Sequence, residues 1–160
     1  MKLMREGYSV ITLTQGKVAI VDNDVFDLIG HHKWCLHAGK YAKRRVNNQV
    51  IVLHRWITGA LPGEVVDHIN HDTFDNRRQN LRVCLNCENL RNRKAKRTKD
   101  GYKGVHRHTG GKWTAAICYH RKQVHLGLFA SEYDAALAYN LAAVQYHGKF
   151  AYLNELEKSK

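Results

Sequence analysis

Between Val65 and Asn92 the chain reads V-V-D-H-I-N-H-D-T-F-D-N-R-R-Q-N-L-R-V-C-L-N-C-E-N-L-R-N, and this stretch restricts the fold more than any other. A short apolar run ends on Asp67 and His68, with Asn80 twelve and Asn89 twenty-one residues beyond His68. Polar strings such as N-H-D-T-F-D-N-R-R are commonly solvated loops, so the layout predicts a strand, a long loop, a short second strand and a helix. A carboxylate and an amide oxygen on such a frame suit one hard divalent ion with several positions left open. The adjacent imidazole can then take a proton from water. The chemistry expected is phosphodiester hydrolysis. An Asp-His pair alone more often marks a surface turn, and the two asparagines and the basic context are what shift the reading towards a site.

The stretch resembles the HNH nucleases, in particular the small phage and intron-encoded members called homing endonucleases. The resemblance rests on Asp67-His68, Asn80-Leu81-Arg82, and Asn89 followed by Asn92, with His54-Arg55 upstream, and covers about residues 52–95. It implies that His68 is the general base and that Asp67 and Asn89 are the metal ligands. Asn80 would tie the loop together and orient the imidazole, and His54 would flank the site and contact a phosphate. The last position is Asn89 where the family name has His. Its amide oxygen is a weaker but hard ligand, so Mg²⁺ or Mn²⁺ is expected rather than Zn²⁺. A metal-dependent endonuclease of nicking or homing type is what the resemblance implies, with one strand cut at a time.

Charge agrees with that substrate. The chain has 26 Lys plus Arg against 14 Asp plus Glu, a formal net charge of +12, which favours a polyanionic partner and double-stranded DNA first. A membrane is not expected, since no stretch reads as a transmembrane helix and the basic residues are not gathered on one amphipathic helix. No small-molecule substrate is expected, and the sequence sets no oligomeric state. The N-terminus lacks the apolar core of a signal peptide, which predicts a cytoplasmic protein of a bacterial or phage-infected cell. Cys84 and Cys87 form a C-x-x-C with no second such pair, so structural zinc is not expected and Cys35, Cys84, Cys87 and Cys118 are read as reduced thiols.

The fold class expected is α+β in four parts: a β-rich segment (1–51), a ββα-metal nuclease module (52–95), a basic linker (96–100) and a C-terminal domain (101–155). Residues 8–21 read as two strands around Thr14-Gln15-Gly16, followed by a short helix that Asp22-Asn23-Asp24 can cap and Gly30 can stop. Strands are expected near 34–37, 41–46 and 49–55, turning at Ala38-Gly39-Lys40 and Asn47-Asn48. Alternation in the last of these would put His54 and Trp56 on one face and Leu53 and Arg55 on the other. Lys40, Lys43, Arg44 and Arg45 are candidate phosphate contacts. So are Arg91, Arg93 and Lys94, at the basic end of a helix that runs into the linker.

Beyond the linker, 103–108, 113–119 and 123–129 read as three antiparallel strands. Ser131-Glu132-Tyr133-Asp134 opens a helix that runs to about His147 and stops at Gly148. Val105, Trp113, Ala115, Ile117, Val124, Leu126 and Leu128 are expected to face that helix. His106, His108, Thr114, Ala116, Cys118, Gln123 and His125 would then form an outer polar face. The segment resembles the Apetala-type, or ethylene-response-factor, DNA-binding domain through G-Y-K-G-V, G-K-W-T-A-A-I, H-L-G-L-F, A-A-L-A-Y and F-A-Y-L-N. The likeness implies a sheet that lies in the major groove, a fit that a β-ribbon permits. His106, His108, Thr114, Cys118, Gln123 and His125 would then meet the groove, and Lys103, Lys112, Arg121 and Lys122 the phosphates.

Two other classes compete. A non-catalytic DNA-binding regulator could use the C-terminal sheet and keep the nuclease-like part as scaffold, although every residue of the site is present. RNA binding would require aromatics free to stack bases, whereas Trp113, Tyr139 and Tyr146 are assigned to the core.

Overall fold

The computed structural model describes residues 4–5, 7–93 and 101–156. The linker 96–100 and Lys94 lie outside the described residues. The chain divides into two compact units, Met1–Asn86 and Cys87–Lys160. It is a mixed α and β protein built on small antiparallel sheets.

In the first unit, β1 (Met4–Arg5), β2 (Tyr8–Thr12) and β3 (Val18–Asp22) form an antiparallel sheet that leads into α1 (Asn23–Ile29). Val25 and Ile29, four apart on α1, are both buried, as one helix face should be. A second sheet follows from β4 (Cys35–His37), β5 (Tyr41–Val46) and β6 (Gln49–Val52). Asn47 and Asn48 both take positive φ, 45° and 66°, the conformation a two-residue hairpin turn of this twist requires. Ile11, Leu13, Ala19, Val21, Val25, Ile29, Trp34, Ala42 and Leu53 make the core. Each large side chain buried there contributes about 1.5–3 kcal/mol.

The strand expected at 49–55 stops early. β6 ends at Val52 and the chain turns into α2 (Leu53–Thr58), so the alternation expected for His54 does not apply. Helical spacing prevails because Leu53 and Ile57, four apart, both pack on the core, and Gly59 at φ 64° closes the helix in the left-handed region. The guanidinium of Arg55 then donates to the carbonyls of Ala60, Leu61 and Glu64, which fixes the loop into β7 (Val65–His68). β7 pairs with β8 (Leu81–Cys84), Asp67 opposite Arg82 and His68 opposite Leu81. Next in sequence is α3 (Asn86–Asn92). Strand, loop, strand and helix thus occur in the order expected from Val65 to Asn92.

The second unit holds β9 (Val105–Arg107), β10 (Trp113–Tyr119) and β11 (Lys122–Phe129) as an antiparallel sheet with β10 in the centre, and α4 (Glu132–His147) packs on it. Ser131 caps α4 by accepting from the Asp134 amide at 3.1 Å. Ala135, Ala136, Ala142 and Ala143 are buried on the helix, and such small side chains allow close approach to the sheet. Tyr139 lies so near Gly104 that a Cβ there would meet its ring at 2.1 Å. His147 closes the helix, its Nε2 3.0 Å from the Cys118 carbonyl.

One expectation for the sheet fails. Leu128 is 48% exposed, because the β10–β11 register shifts between Ala115 and Ala116. The shift reverses the alternation, placing Leu128 opposite Thr114 and giving its inward place to Phe129, which packs on the core opposite Trp113.

Candidate active site

His68 ends β7, and both it and Asp67 are buried. The guanidinium of Arg82, across the hairpin, donates from Nε at 2.8 Å and Nη2 at 2.6 Å to Asp67 Oδ2. Two rings flank the imidazole. His54 meets His68 edge-on at 5.2 Å between centroids, and Tyr41 of β5 lies 5.0 Å from His54 and 6.3 Å from His68, nearly parallel to the latter. Burial pushes His54 down to about 4, with lesser contributions from His68 and Arg55. Burial also lowers His68, against the opposing pull of the Asn76 amide and of Asp67, Asp72 and Asp75. Both imidazoles are therefore neutral near pH 7, the form able to accept a proton.

The loop between the strands is held from within. Asn80 Oδ1 accepts from the Asn70 amide at 3.0 Å, and its Nδ2 donates to the Asp75 carbonyl at 2.7 Å, so one buried side chain joins the two ends of the loop. Asp75 takes Arg77 Nε at 2.8 Å and Nη2 at 2.7 Å, and Asn70 Nδ2 at 3.0 Å. The Arg77 guanidinium holds the Asp75 carboxyl below its ordinary value. Asp72 Oδ1 accepts from the Phe74 amide, a local turn of the kind Asp favours.

It is held from without by the N-terminal strands. Ile20 donates to the Phe74 carbonyl at 2.8 Å and accepts from the Asn76 amide at 2.7 Å, a short parallel bridge. Asp22 Oδ2 accepts from the Arg78 amide at 2.9 Å, and Arg78 Nη1 donates to Asp24 Oδ1 at 2.8 Å. The β-rich segment thus braces the loop behind His68 and supplies Tyr41 beside it.

Residues 51–91 match the HNH endonuclease family. The matched segment therefore spans α2, the hairpin and most of α3. The chain is also 27% identical over 156 residues, 94% of its length and 81% of the other's, to a protein of Acanthamoeba polyphaga mimivirus described as "Uncharacterized HNH endonuclease L560".

Of the residues expected in the HNH site, Asp67, His68, His54 and Asn80 come together in the first unit. Asn89 lies on α3, in the second unit, and is half-buried. A carboxylate oxygen and an amide oxygen are hard donors, and ions of the Mg²⁺ type take one or two carboxylates and keep several waters. The donor chemistry of Asp67 and Asn89 fits such an ion. Among the described residues no group of three or more His, Cys, Asp or Glu has an arrangement that could hold a metal. Cys84 is buried, and Cys35, Cys87 and Cys118 are exposed.

Sequence reasoning missed Tyr41, Asp75, Asn76 and the role of Arg82. Arg82 carries a usable signal, since a hairpin that pairs His68 with Leu81 must set Asp67 opposite Arg82. Tyr41 carries none, because twenty-six residues separate it from Asp67.

In the second unit His106, His108, Lys112, Cys118, Arg121, Lys122, Gln123 and His125 are exposed, and Thr114 is half-buried. Cross-strand pairing puts His106, Thr114, His125, Cys118 and Gln123 on one face, with Thr114 Oγ1 3.3 Å from His125 Nδ1. Arg91 is half-buried and Arg93 exposed. Lys103 differs from the other basic residues: its Nζ donates to the Arg91 carbonyl at 2.6 Å and the Arg93 carbonyl at 2.7 Å, and burial pushes it down to about 8. Its ammonium is thus engaged by two backbone carbonyls. No helix among the described residues is long and apolar enough to cross a membrane.

Proposed function

We propose that this chain is a metal-dependent endonuclease of the HNH type that nicks duplex DNA. The observation that carries the reading is the buried His68 beside Asp67 and against the His54 ring, inside the segment matched to the HNH family. His68 would remove the proton from the attacking water, and His54 and Tyr41 would hold the imidazole plane by their ring contacts. Asp67 and Asn89 would hold a divalent ion such as Mg²⁺ or Mn²⁺, which when bound supplies charge stabilisation at the phosphate and the leaving 3′ oxygen. Arg82 would orient the Asp67 carboxylate. Asn80 would keep the loop in the shape that leaves His68 facing the substrate.

The C-terminal unit would bind the duplex through the polar face of its sheet, with Lys112, Arg121 and Lys122 on phosphates and His106, Thr114, Cys118, Gln123 and His125 towards bases. What supports this is the exposure of that face, the net charge of +12 and the likeness of its motifs to the Apetala-type domain. A site-preferring enzyme of a phage or mobile element, such as a homing endonuclease, is the biological setting that this combination fits.

The test is incubation of the full chain with supercoiled plasmid carrying candidate native DNA, with Mg²⁺, Mn²⁺ or chelator, beside His68→Ala. Metal-dependent conversion to open circles that the variant loses is the expected result. Nicking that His68→Ala leaves intact removes His68 as the base, and tight duplex binding without cleavage in any metal favours a non-catalytic regulator.

A further inference from the structure

The last carbonyls of a helix have no partners within it and carry partial negative charge, so a lysine ammonium placed on them acts as a cap. Lys103 is so placed, with its Nζ bonded to the carbonyls of Arg91 and Arg93 at the end of α3. The residue is itself held firmly. Its amide donates to Asn154 Oδ1 at 2.7 Å, and Asn154 Nδ2 donates back to its carbonyl at 3.1 Å. Asn154 and Asn140 repeat the exchange, with Asn154 N donating to Asn140 Oδ1 at 2.8 Å and Asn140 Nδ2 to the Asn154 carbonyl at 2.9 Å. The Tyr152 ring lies 5.1 Å from Nζ. One chain of bonds therefore runs from α4 through Asn154 and Lys103 to the end of α3, all within the second unit.

We propose that Lys103 is a positioning residue for the nuclease: it caps α3 and fixes the helix that bears Asn89 to the C-terminal sheet-and-helix module. This rests on the reading of Asn89 as a metal ligand.

The experiment uses the full chain and the variants Lys103→Met, Lys103→Gln and Lys103→Arg. Three readouts are taken: hydrogen exchange of backbone amides, the Mg²⁺ dependence of plasmid nicking, and duplex affinity at two salt concentrations. Loss of the charge should speed exchange at the C-terminal end of α3 by about tenfold, the scale of a charge at a partly buried helix end, while β10 stays protected. Half-saturating Mg²⁺ should rise by a similar factor, and Lys103→Arg should recover most of both. Duplex affinity should stay within about twofold with an unchanged salt slope, because no phosphate contact is lost.

A fall in affinity and salt slope with normal α3 exchange would make Lys103 a phosphate contact and overturn the proposal. Loss of β10 protection in both Lys103→Met and Lys103→Gln would overturn it too, by making the residue a support of the sheet. Faster α3 exchange with unchanged Mg²⁺ dependence would leave a cap with no bearing on the metal, which also defeats it. A wild-type chain that protects α3 yet nicks no plasmid refutes the nuclease reading itself, a result distinct from each of these.

Discussion

Arg82 meets Asp67 across the β7–β8 hairpin with Nε and Nη2 both on Oδ2, and the two side chains are only 14% and 6% exposed. A carboxylate so deeply placed depends on its partner, since removing one member of a buried pair leaves an uncompensated charge. The same contact sets the direction of the carboxylate beside His68.

Arg82→Met should therefore destabilise the first unit by about 3 kcal/mol, read as a lower urea midpoint in denaturation. Combined with Asp67→Asn, the loss should be well below the sum of the two single changes. Strict additivity in this double-mutant cycle would show that the pair does not act as a unit.

Asn80→Ala removes the amide that joins Asn70 to Asp75 and leaves two backbone groups without their partner. The expected loss is about 2–3 kcal/mol, with faster proteolysis between Asn70 and Arg78. Unchanged cleavage in that loop would show that the N-terminal strands hold it without Asn80.

His54 lies among Tyr41, His68 and Arg55, and its folded value of about 4 is below the ordinary 6.5. As pH falls from about 6.5 to 4, the unfolded chain takes up a proton that the folded chain refuses, so stability declines across that window and levels off below it. The loss is about 3 kcal/mol at most, and the lowered His68 adds to it in the same direction. His54→Phe should flatten part of this acid limb in denaturation curves taken from pH 7 to 4. An equally steep limb in the variant would assign the dependence elsewhere.

Gly104→Ala should destabilise the second unit by about 3 kcal/mol or more, since φ is +75° there and a Cβ would meet the Tyr139 ring at 2.1 Å and the Ala116 carbonyl oxygen at 2.6 Å. Thermal unfolding followed by the near-ultraviolet signal of the aromatic rings gives the measurement. Pairing the change with Tyr139→Ala should recover part of the clash term but none of the backbone strain.

Much of the local structure could be read from adjacent residues. The Ser131 cap, the Asn47-Asn48 turn and the strand-loop-strand-helix order of Val65 to Asn92 depend on chemistry within a few positions, and the sequence states that chemistry directly. The pairing of Asp67 with Arg82 was within reach too, by counting across the hairpin. Where the reading failed, a distant packing partner decided the outcome. His54 went into a helix because Leu53 and Ile57 both reach the same core, and Leu128 turned outward because of a single register shift in β10–β11.

The amino-acid sequence by itself determined the donor types, the hairpin that carries Asp67 and His68, and the basic character of the chain. Only the tertiary structure decided that Tyr41 stands against both imidazoles, that Ile20 and Asp22 brace the loop, and that Lys103 caps α3. The physical reason is range. Capping and turn preferences act over a few residues, whereas ring contacts, ion pairs and desolvation depend on which distant segments the folded chain brings within a few ångströms.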